Sequence, residues 1–466
     1  RRTMSTMFRS LSSYNYRVWF IGALVSNAGQ WMQSTAQNWA VLTVLTDNDA
    51  GAVGITMALQ FAPPLLLVTV TGWVADRFDR RKLLLLTQCL LALLGVAIGV
   101  LLLTGLMTLP LMYVFAAALG VVAAFDNPSR QAFVSDLVTR ENMSNAVALN
   151  AAQFNMARMV GPALAGIMIV AVGTGWVFLI NAGTFIAMIV ALLMIRAREL
   201  TPRAITTEKN RLSEGFRYVA GRSDLLMVFG MVFILGAFGL NFPILASTMA
   251  LEFGQGADGF GLLNSALAIG SLAGALLSAR RTEARIRVII WSTGLFAVTA
   301  LVSAFMPNYW LYAATLMFTG LATVTMFTTA NGVVQTTTAP ALRGRVLALY
   351  LAVVMGGTPV GAPIVGWVAA QWGPRVAILV GAVAAAIAFC GGMLWLSSTG
   401  RLTRVEGRRF VLAVEGTRPL PIITPEEFSD ELAASTPVPL PERLGARARR
   451  AVRKKDTLLS KANELG

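Results

Sequence analysis

Two ionisable residues, Asp126 and Arg158, stand inside long apolar runs of this chain. Charge in a hydrocarbon setting is costly and marks function by default. Their runs are consecutive and antiparallel as spans, which lets the two side chains approach each other. Two readings of Asp126 follow. It is a coupling carboxylate, its pKa raised by burial and lowered by Arg158, so that it titrates as its access changes, or it is half of a permanent structural ion pair. A second group is uncharged: Asn27, Gln30, Ser34 and Gln37 recur at helical spacing, flanked by Trp31, Gln33 and Asn38. An amide-rich stripe of this kind avoids lipid, so it lines a cavity or bonds neighbouring helices. Asn241, before Pro243, and Thr328, Asn331 and Gln335 supply matching polar groups later in the chain. With no acid in the first stripe, such a cavity suits a neutral or anionic amphiphile better than a strong cation, and Arg158 favours an anion if it faces that space.

Other chemistries are excluded. The chain has no histidine, which removes imidazole general bases, proton relays and His-type zinc sites. Cys89 and Cys390 stand alone in separate apolar runs and form neither a disulfide framework nor a CxxC site; both are expected to be small buried side chains. No nucleophile with a base, P-loop or metal-ligand set is present, so no catalytic residue, metal or cofactor is expected.

The elements that must position these groups are membrane helices. Of 466 residues, 56% are apolar and 13% charged, against about 25% charged in average globular chains. A ruler of about 20 apolar residues per span gives twelve helices, near 18–45, 52–75, 83–104, 109–131, 143–171, 176–195, 225–250, 259–279, 288–305, 309–333, 346–370 and 376–397. The first is too long, and too poorly supplied with a cleavage site, for a removed signal peptide. Threaded in order, these spans put 36 of the 38 Lys and Arg residues on one side. By the positive-inside rule that side, with both termini, is cytoplasmic. The net charge of +15 is therefore a statement about topology and not about nucleic acid. A ratio of 33 Arg to 5 Lys points to a GC-rich bacterial genome and hence to a bacterial inner or plasma membrane.

The organisation is a cytoplasmic N-terminus (1–17), a six-helix half (18–195), a cytoplasmic linker (196–224), a second six-helix half (225–397) and a cytoplasmic tail (398–466). The halves match at an offset near 200: Gly161-Pro162-Ala-Leu-Ala-Gly166 faces Gly361-Ala-Pro363-Ile-Val-Gly366, and Asn145-Ala-Val-Ala-Leu149 faces Arg345-Val-Leu-Ala-Leu349. Duplicated helical units of this plan rock about a midplane site. Proline breaks a helix ladder, which makes Gly161, Pro162, Gly166, Gly361 and Pro363 expected hinges. In the tail, a Pro-rich linker (419–441) precedes a basic amphipathic segment expected to lie on anionic lipid.

Gly72-xxx-Asp76-Arg77-xx-Arg80-Arg81, between spans two and three, resembles the loop signature of the major facilitator superfamily, with Asp79 where a second glycine is usual. Trp31-Met32-Gln33, Asp126-xx-Ser129-Arg130-Gln131-Ala132 and Ala339-Pro340-xx-Arg343-Gly344-Arg345-Val346 resemble the enterobactin-exporter and drug:proton antiporter branch. Ala116 replaces a fourth-span arginine, and Ala157 and Ala165 replace fifth-span glycines, of that pattern. The resemblance implies an all-α membrane protein of twelve helices in two pseudo-symmetric halves. It also implies a conformational latch in which Asp76, with Gly72, Arg77, Arg80 and Arg81, meets the start of span eleven near Arg345. The function it implies is proton-coupled export of small drug- or siderophore-like molecules by a monomer that is not an enzyme. Lipid or lysolipid transport, symport import and a non-transporting sensor or assembly platform are the alternatives.

Overall fold

The computed structural model describes residues 6–200, 212–279, 281, 284–339 and 342–398. The tail, with its Pro-rich linker and basic segment, lies outside the described residues, as does the middle of the linker between the halves.

The first half consists of α1 (Tyr14–Thr43), α2 (Ala50–Leu66), α3 (Val68–Arg77), α4 (Arg80–Leu103), α5 (Leu109–Asp136), α6 (Met143–Val172) and α7 (Thr174–Met194). A short linker helix, α8 (Leu212–Ala220), leads to α9 (Ser223–Phe238), α10 (Phe242–Glu252), α11 (Ala257–Ala279), α12 (Ile286–Ala304), α13 (Tyr309–Thr337), α14 (Arg343–Trp372) and α15 (Pro374–Ser398). Among the described residues, ten stretches are long and apolar enough to cross a membrane, with α9 and α10 forming one of them. Two further spans complete twelve. One is α1, whose amide stripe dilutes its hydropathy. The other is the pair α2 and α3, one span bent at Leu67. Pro63 and Pro64 cause the bend, because neither can donate to the ladder. The carbonyl of Gln60, which Pro64 leaves without its ladder donor, lies against Gly120 of α5, where a methyl group would stand 2.2 Å from it.

Local signals set the helix ends. Asp79 accepts from the amides of Arg81 (2.9 Å) and Lys82 (3.3 Å) and starts α4; Asp49 and Asn308 do the same for α2 and α13. Gly173 and Gly373, 200 positions apart, stop α6 and α14 with φ near +90° (90° and 87°), a conformation that favours glycine.

Within the first half α1 packs on α6 and α7, α4 on α5 and α7, and α2 on α5. In the second half α13 packs on α11 and α12, and α14 on α9. The largest contacts between halves are α2 with α14 and α6 with α11. These two contacts are pseudo-symmetric copies. A methyl on Gly54 would stand 2.3 Å from the carbonyl oxygen of Ala362 and 3.3 Å from Cα of Gly366. One on Gly261 would stand 2.4 Å from the oxygen of Pro162 and 3.2 Å from Cα of Gly166. Backbone meets backbone at both crossings, the kind of approach that small residues permit in lipid.

Both crossings lie at the end of the bundle remote from the Arg-rich loops. Along the inward faces of α6 and α14, exposure changes with depth. Ala151, Phe154, Leu351 and Met355 are exposed toward the basic end, whereas Gly161, Pro162, Gly166, Gly361, Ala362 and Gly366 are buried toward the other. The halves therefore diverge toward the basic end.

Two observations bear on the expected hinges and cysteines, and the second is a correction. The helices α6 and α14 run without interruption through Pro162 and through Pro359 and Pro363. Gly161, Gly166, Gly361 and Gly366 on these helices meet neighbouring helices at close approach. Cys89 and Cys390 are exposed rather than buried; on apolar helices of a bundle, that places them on its outer surface.

Candidate functional site

The amide stripe of α1 points away from lipid. Ile21 and Val25 mark the exposed outer face of that helix, and Asn27, Gln30 and Ser34 lie about half a turn round from them. The stripe divides by depth of burial. Gln30, Trp31 and Ser34 are partly exposed; Asn27, Gln33, Gln37 and Asn38 are buried. The buried members bond neighbouring helices. Asn181 of α7 donates to Gln33 Oε1 (2.5 Å), and Gln37 donates to Gln60 of α2 (2.9 Å). Trp31 packs with its Cβ over Gly161, where a methyl would stand 2.6 Å away, and meets Phe154 edge-on at 5.9 Å between ring centroids.

Arg158 sits midway along α6. Its guanidinium lies over the Trp31 ring, 5.6 Å from the centroid. Met156, Val160, Leu164 and Ile167 form the exposed outer face of α6. Arg158 projects from the opposite side, between the stripe that packs on α1 (Ala157, Gly161) and the stripe that packs on α11 (Pro162, Gly166). No carboxylate is within ion-pair distance of it among the described residues.

Asp126 does not pair with Arg158. It is buried at 1% exposure and receives Thr87 Oγ1 (2.6 Å) and Gln88 Nε2 (2.8 Å) on one oxygen and Arg130 Nε (3.1 Å) on the other. Arg130 also donates to Asn27 Oδ1 at 3.3 Å, which ties the network to the α1 stripe. The physical reason is spacing: an arginine four residues on lies on the same face of the same helix and needs no tertiary accident to meet the acid. That i,i+4 relation was visible in the sequence. Arg130 stands at the very end of the expected span (109–131), where an arginine reads equally as a loop cation; α5 continues to Asp136 and so keeps it inside the bundle. Thr87 and Gln88 gave no such signal, since single polar residues in apolar runs are common.

At the basic end, Arg80 binds Asp136 of α5 (2.9 and 3.1 Å) and the carbonyl of Ala132 (3.3 Å). Arg81 donates to the carbonyls of Leu192 (2.8 Å) and Leu193 (3.1 Å), the terminal acceptors of α7. Both arginines thus fasten the loop within its own half. Arg77 is exposed in the last turn of α3, which also carries Gly72 and Asp76; the side-chain surroundings of Asp76 lie outside what is described. Arg345 is paired with Glu214 of the linker helix at 2.5 Å, and among the described residues α3 packs mainly on α5 and α2.

Of the remaining expected residues, Asn331 accepts from Gln335 on its own helix (2.5 Å). Asn241 is fully buried in the break between α9 and α10 and donates to the carbonyl of Ala237. The Ala237 carbonyl that it bonds lies against Gly361 of α14, and in this state Asn241 itself is closed off from any open space. Among the described residues no cluster of potential metal ligands occurs.

Twelve spanning helices in two matching halves, joined backbone-to-backbone at one end and diverging at the other, define the fold of a secondary transporter. Residues 5–403 match the transmembrane secretion effector family, and the chain belongs to that family of the major facilitator superfamily. The chain is 28% identical over 368 residues to the enterobactin exporter EntS of Shigella flexneri, covering 77% of this chain and 84% of the relative. It is 27% identical over 371 residues to EntS of Escherichia coli O1:K1, with the same coverage of 77% and 84%. The fold matches a bacterial homologue of the iron transporter ferroportin in an inward-facing state, with TM-score 0.64, 14% identity and coverage of 82% and 98%. It also matches a bacterial homologue of the lysosomal transporter Spinster, inward-facing and unoccupied, with TM-score 0.63, 14% identity and the same coverage of 82% and 98%. The protein is accordingly a membrane transporter and not an enzyme.

Proposed function

We propose that this transporter exports small amphiphilic molecules of drug or siderophore type across a bacterial inner membrane, by alternating access coupled to protons. The observation that carries the proposal is the contrast between the two ends of the bundle. Paired glycine crossings seal one end, while the inward faces of α6 and α14 become exposed toward the Arg-rich end. With the Arg-rich loops and both termini in the cytoplasm, this is a state that receives cargo from inside. Release on the other side requires both crossings to part together, which their shared geometry permits as a rigid-body rocking of halves. Gln30, Trp31 and Ser34 line the cargo space in this scheme.

Proton coupling is assigned to Asp126. In the state described, three side-chain donors including Arg130 stabilise its carboxylate. A proton enters only when Arg130 moves off, so protonation is tied to a change in the packing of α4 and α5. The basic-end latch acts with it: Arg345 exchanges Glu214 for Asp76 when the halves close at that end. The sequence similarity to enterobactin exporters supports outward transport of a siderophore-like cargo, with anionic lipid holding the basic tail and the chain acting as a monomer.

The test is counterflow of a radiolabelled siderophore in proteoliposomes of the purified chain, with imposed proton gradients of either sign. Uptake driven against the direction of proton flow is expected. Flux that follows the protons would establish symport. Counterflow absent for siderophores and drugs but present for lysolipid would move the assignment to lipid transport.

A further inference from the structure

We infer that the transporter's cargo is an organic anion, and that Arg158 is the residue that binds its charged group, with Trp31 and Phe154 receiving the adjoining apolar part. The inference rests on the transport reading above and adds the sign of the charge and the residues that read it.

Four observations support it. Arg158 stands at the middle of α6, about half a turn round from the lipid-exposed Met156, Val160, Leu164 and Ile167, so it cannot reach an interface by snorkelling along the outer face. It has no carboxylate partner among the described residues, whereas Arg130 pairs with Asp126, Arg80 with Asp136 and Arg375 with Glu252. A midplane cation kept unpaired and still partly exposed is an expensive arrangement unless something else supplies the anion. Its surroundings are shaped for an amphiphile. The Trp31 ring lies beneath the guanidinium, and Phe154, one turn nearer the basic end on the same inward face, is 44% exposed. Finally, α14 places no cation at the matching position. The position matching Arg158 at the 200-residue offset is Thr358, which is buried, and above it the inward face of α14 presents the exposed apolar Leu351 and Met355.

The Trp31 contact then has a use. A cation–π contact holds the guanidinium ready at modest energy. A carboxylate, sulfonate or phenolate offers a stronger, charge-assisted bond and takes over one edge of the fork while the ring remains beside it. Cargo lacking the charge leaves the guanidinium where it was. The Arg-rich mouth of the cleft concentrates anions before they reach this point.

Three probes sharing one ring system separate charge from shape: 1-pyrenebutyrate, 1-pyrenebutanol and 1-pyrenebutylamine, bound to the detergent-purified full chain and followed by fluorescence anisotropy. The wild type is expected to bind the carboxylate about 10- to 100-fold more tightly than the alcohol, the range of a hydrogen bond to a charged group. Arg158→Gln should bring the carboxylate's affinity down to about that of the alcohol, and Arg158→Lys should retain part of the preference. If the Gln variant fails to fold, the wild-type preference and the Lys variant still decide. Equal affinity for the three probes, preference for the amine, binding of none, or an Arg158→Gln chain that still selects the carboxylate overturns the inference. Siderophore counterflow in the same preparations separates the two claims. Charge-selective binding without any counterflow defeats the transport reading alone; counterflow undiminished in Arg158→Gln defeats this inference alone.

Discussion

Asp126 and Arg130 lie four residues apart on α5, and the guanidinium reaches the buried carboxylate at 3.1 Å. This pair, rather than one between Asp126 and Arg158, is the ionic centre of the first half. It leaves Arg158 available on the cleft side of α6 and couples the acid to α1 through Asn27.

Replacing Asp126 with Asn should therefore do two separable things. It leaves Arg130 buried without its counter-charge, expected to destabilise the chain by about 3–5 kcal/mol, seen as a lowered unfolding midpoint in detergent. Arg130→Gln should cost a similar amount, and the double variant clearly less than the sum, because the unpaired charge is gone. If Asp126 also carries the coupling proton, the double variant recovers stability but its siderophore flux no longer responds to an imposed proton gradient.

Gly54 and Gly261 should be the least tolerant positions of the interface between halves. A leucine at either one places a branched side chain where even a methyl would stand 2.3–2.4 Å from a carbonyl oxygen. Each variant is expected to fold, since the crossing joins halves that pack separately, but to hold the far end apart. Distances between spin labels on α2 and α14 at that end should lengthen, and counterflow should fall by at least about tenfold. Unchanged distances would show that the crossings are not the closing surface.

Arg80 and Asp136 are only partly buried, at 14% and 19% side-chain exposure. Alanine at both positions should reveal a coupling energy of about 0.5–1.5 kcal/mol in a double-mutant cycle, with no change in cargo selectivity. The Arg81 contacts to the end of α7 predict that Arg81→Ala loosens that helix terminus, measurable as faster amide exchange at Leu192–Ile195.

Glu214→Gln should release the linker helix from Arg345. Limited proteolysis within the linker is expected to accelerate while the unfolding midpoint stays close to wild type, because Glu214 is largely exposed. If Arg345 also serves the latch, this variant raises the fraction of molecules closed at the basic end; Arg345→Ala lowers it.

How much of this was legible in the sequence depended on whether the signal was local. Spans, their order and their division into matching halves follow from apolar runs, loop charge and the 200-residue repeat, because each is set by contact with lipid or water that every residue experiences by itself. Helix ends at Asp79, Gly173 and Gly373 were equally local. Pairing was not. Pro162 and Pro363 were legible as positions inside α6 and α14, but that Gly166 and Gly366 beside them meet the other half backbone-to-backbone was not, because such an approach depends on helices distant in sequence. Asn241 looked like a cavity residue because any polar side chain at that depth does; the break after Phe238 turned it back onto the end of α9.

The sequence by itself determined that this chain crosses a membrane twelve times in two related halves, and that a small set of polar and charged residues is kept away from lipid. Those facts follow from the cost of exposing a polar group to hydrocarbon, paid residue by residue. Only the tertiary structure decided which of those residues satisfy one another and which remain available. Partner choice depends on which side chains the folded helices bring within reach: it gave Asp126 to Arg130 on the same helix, Arg80 to Asp136 and Arg345 to Glu214, and it left Arg158 on Trp31.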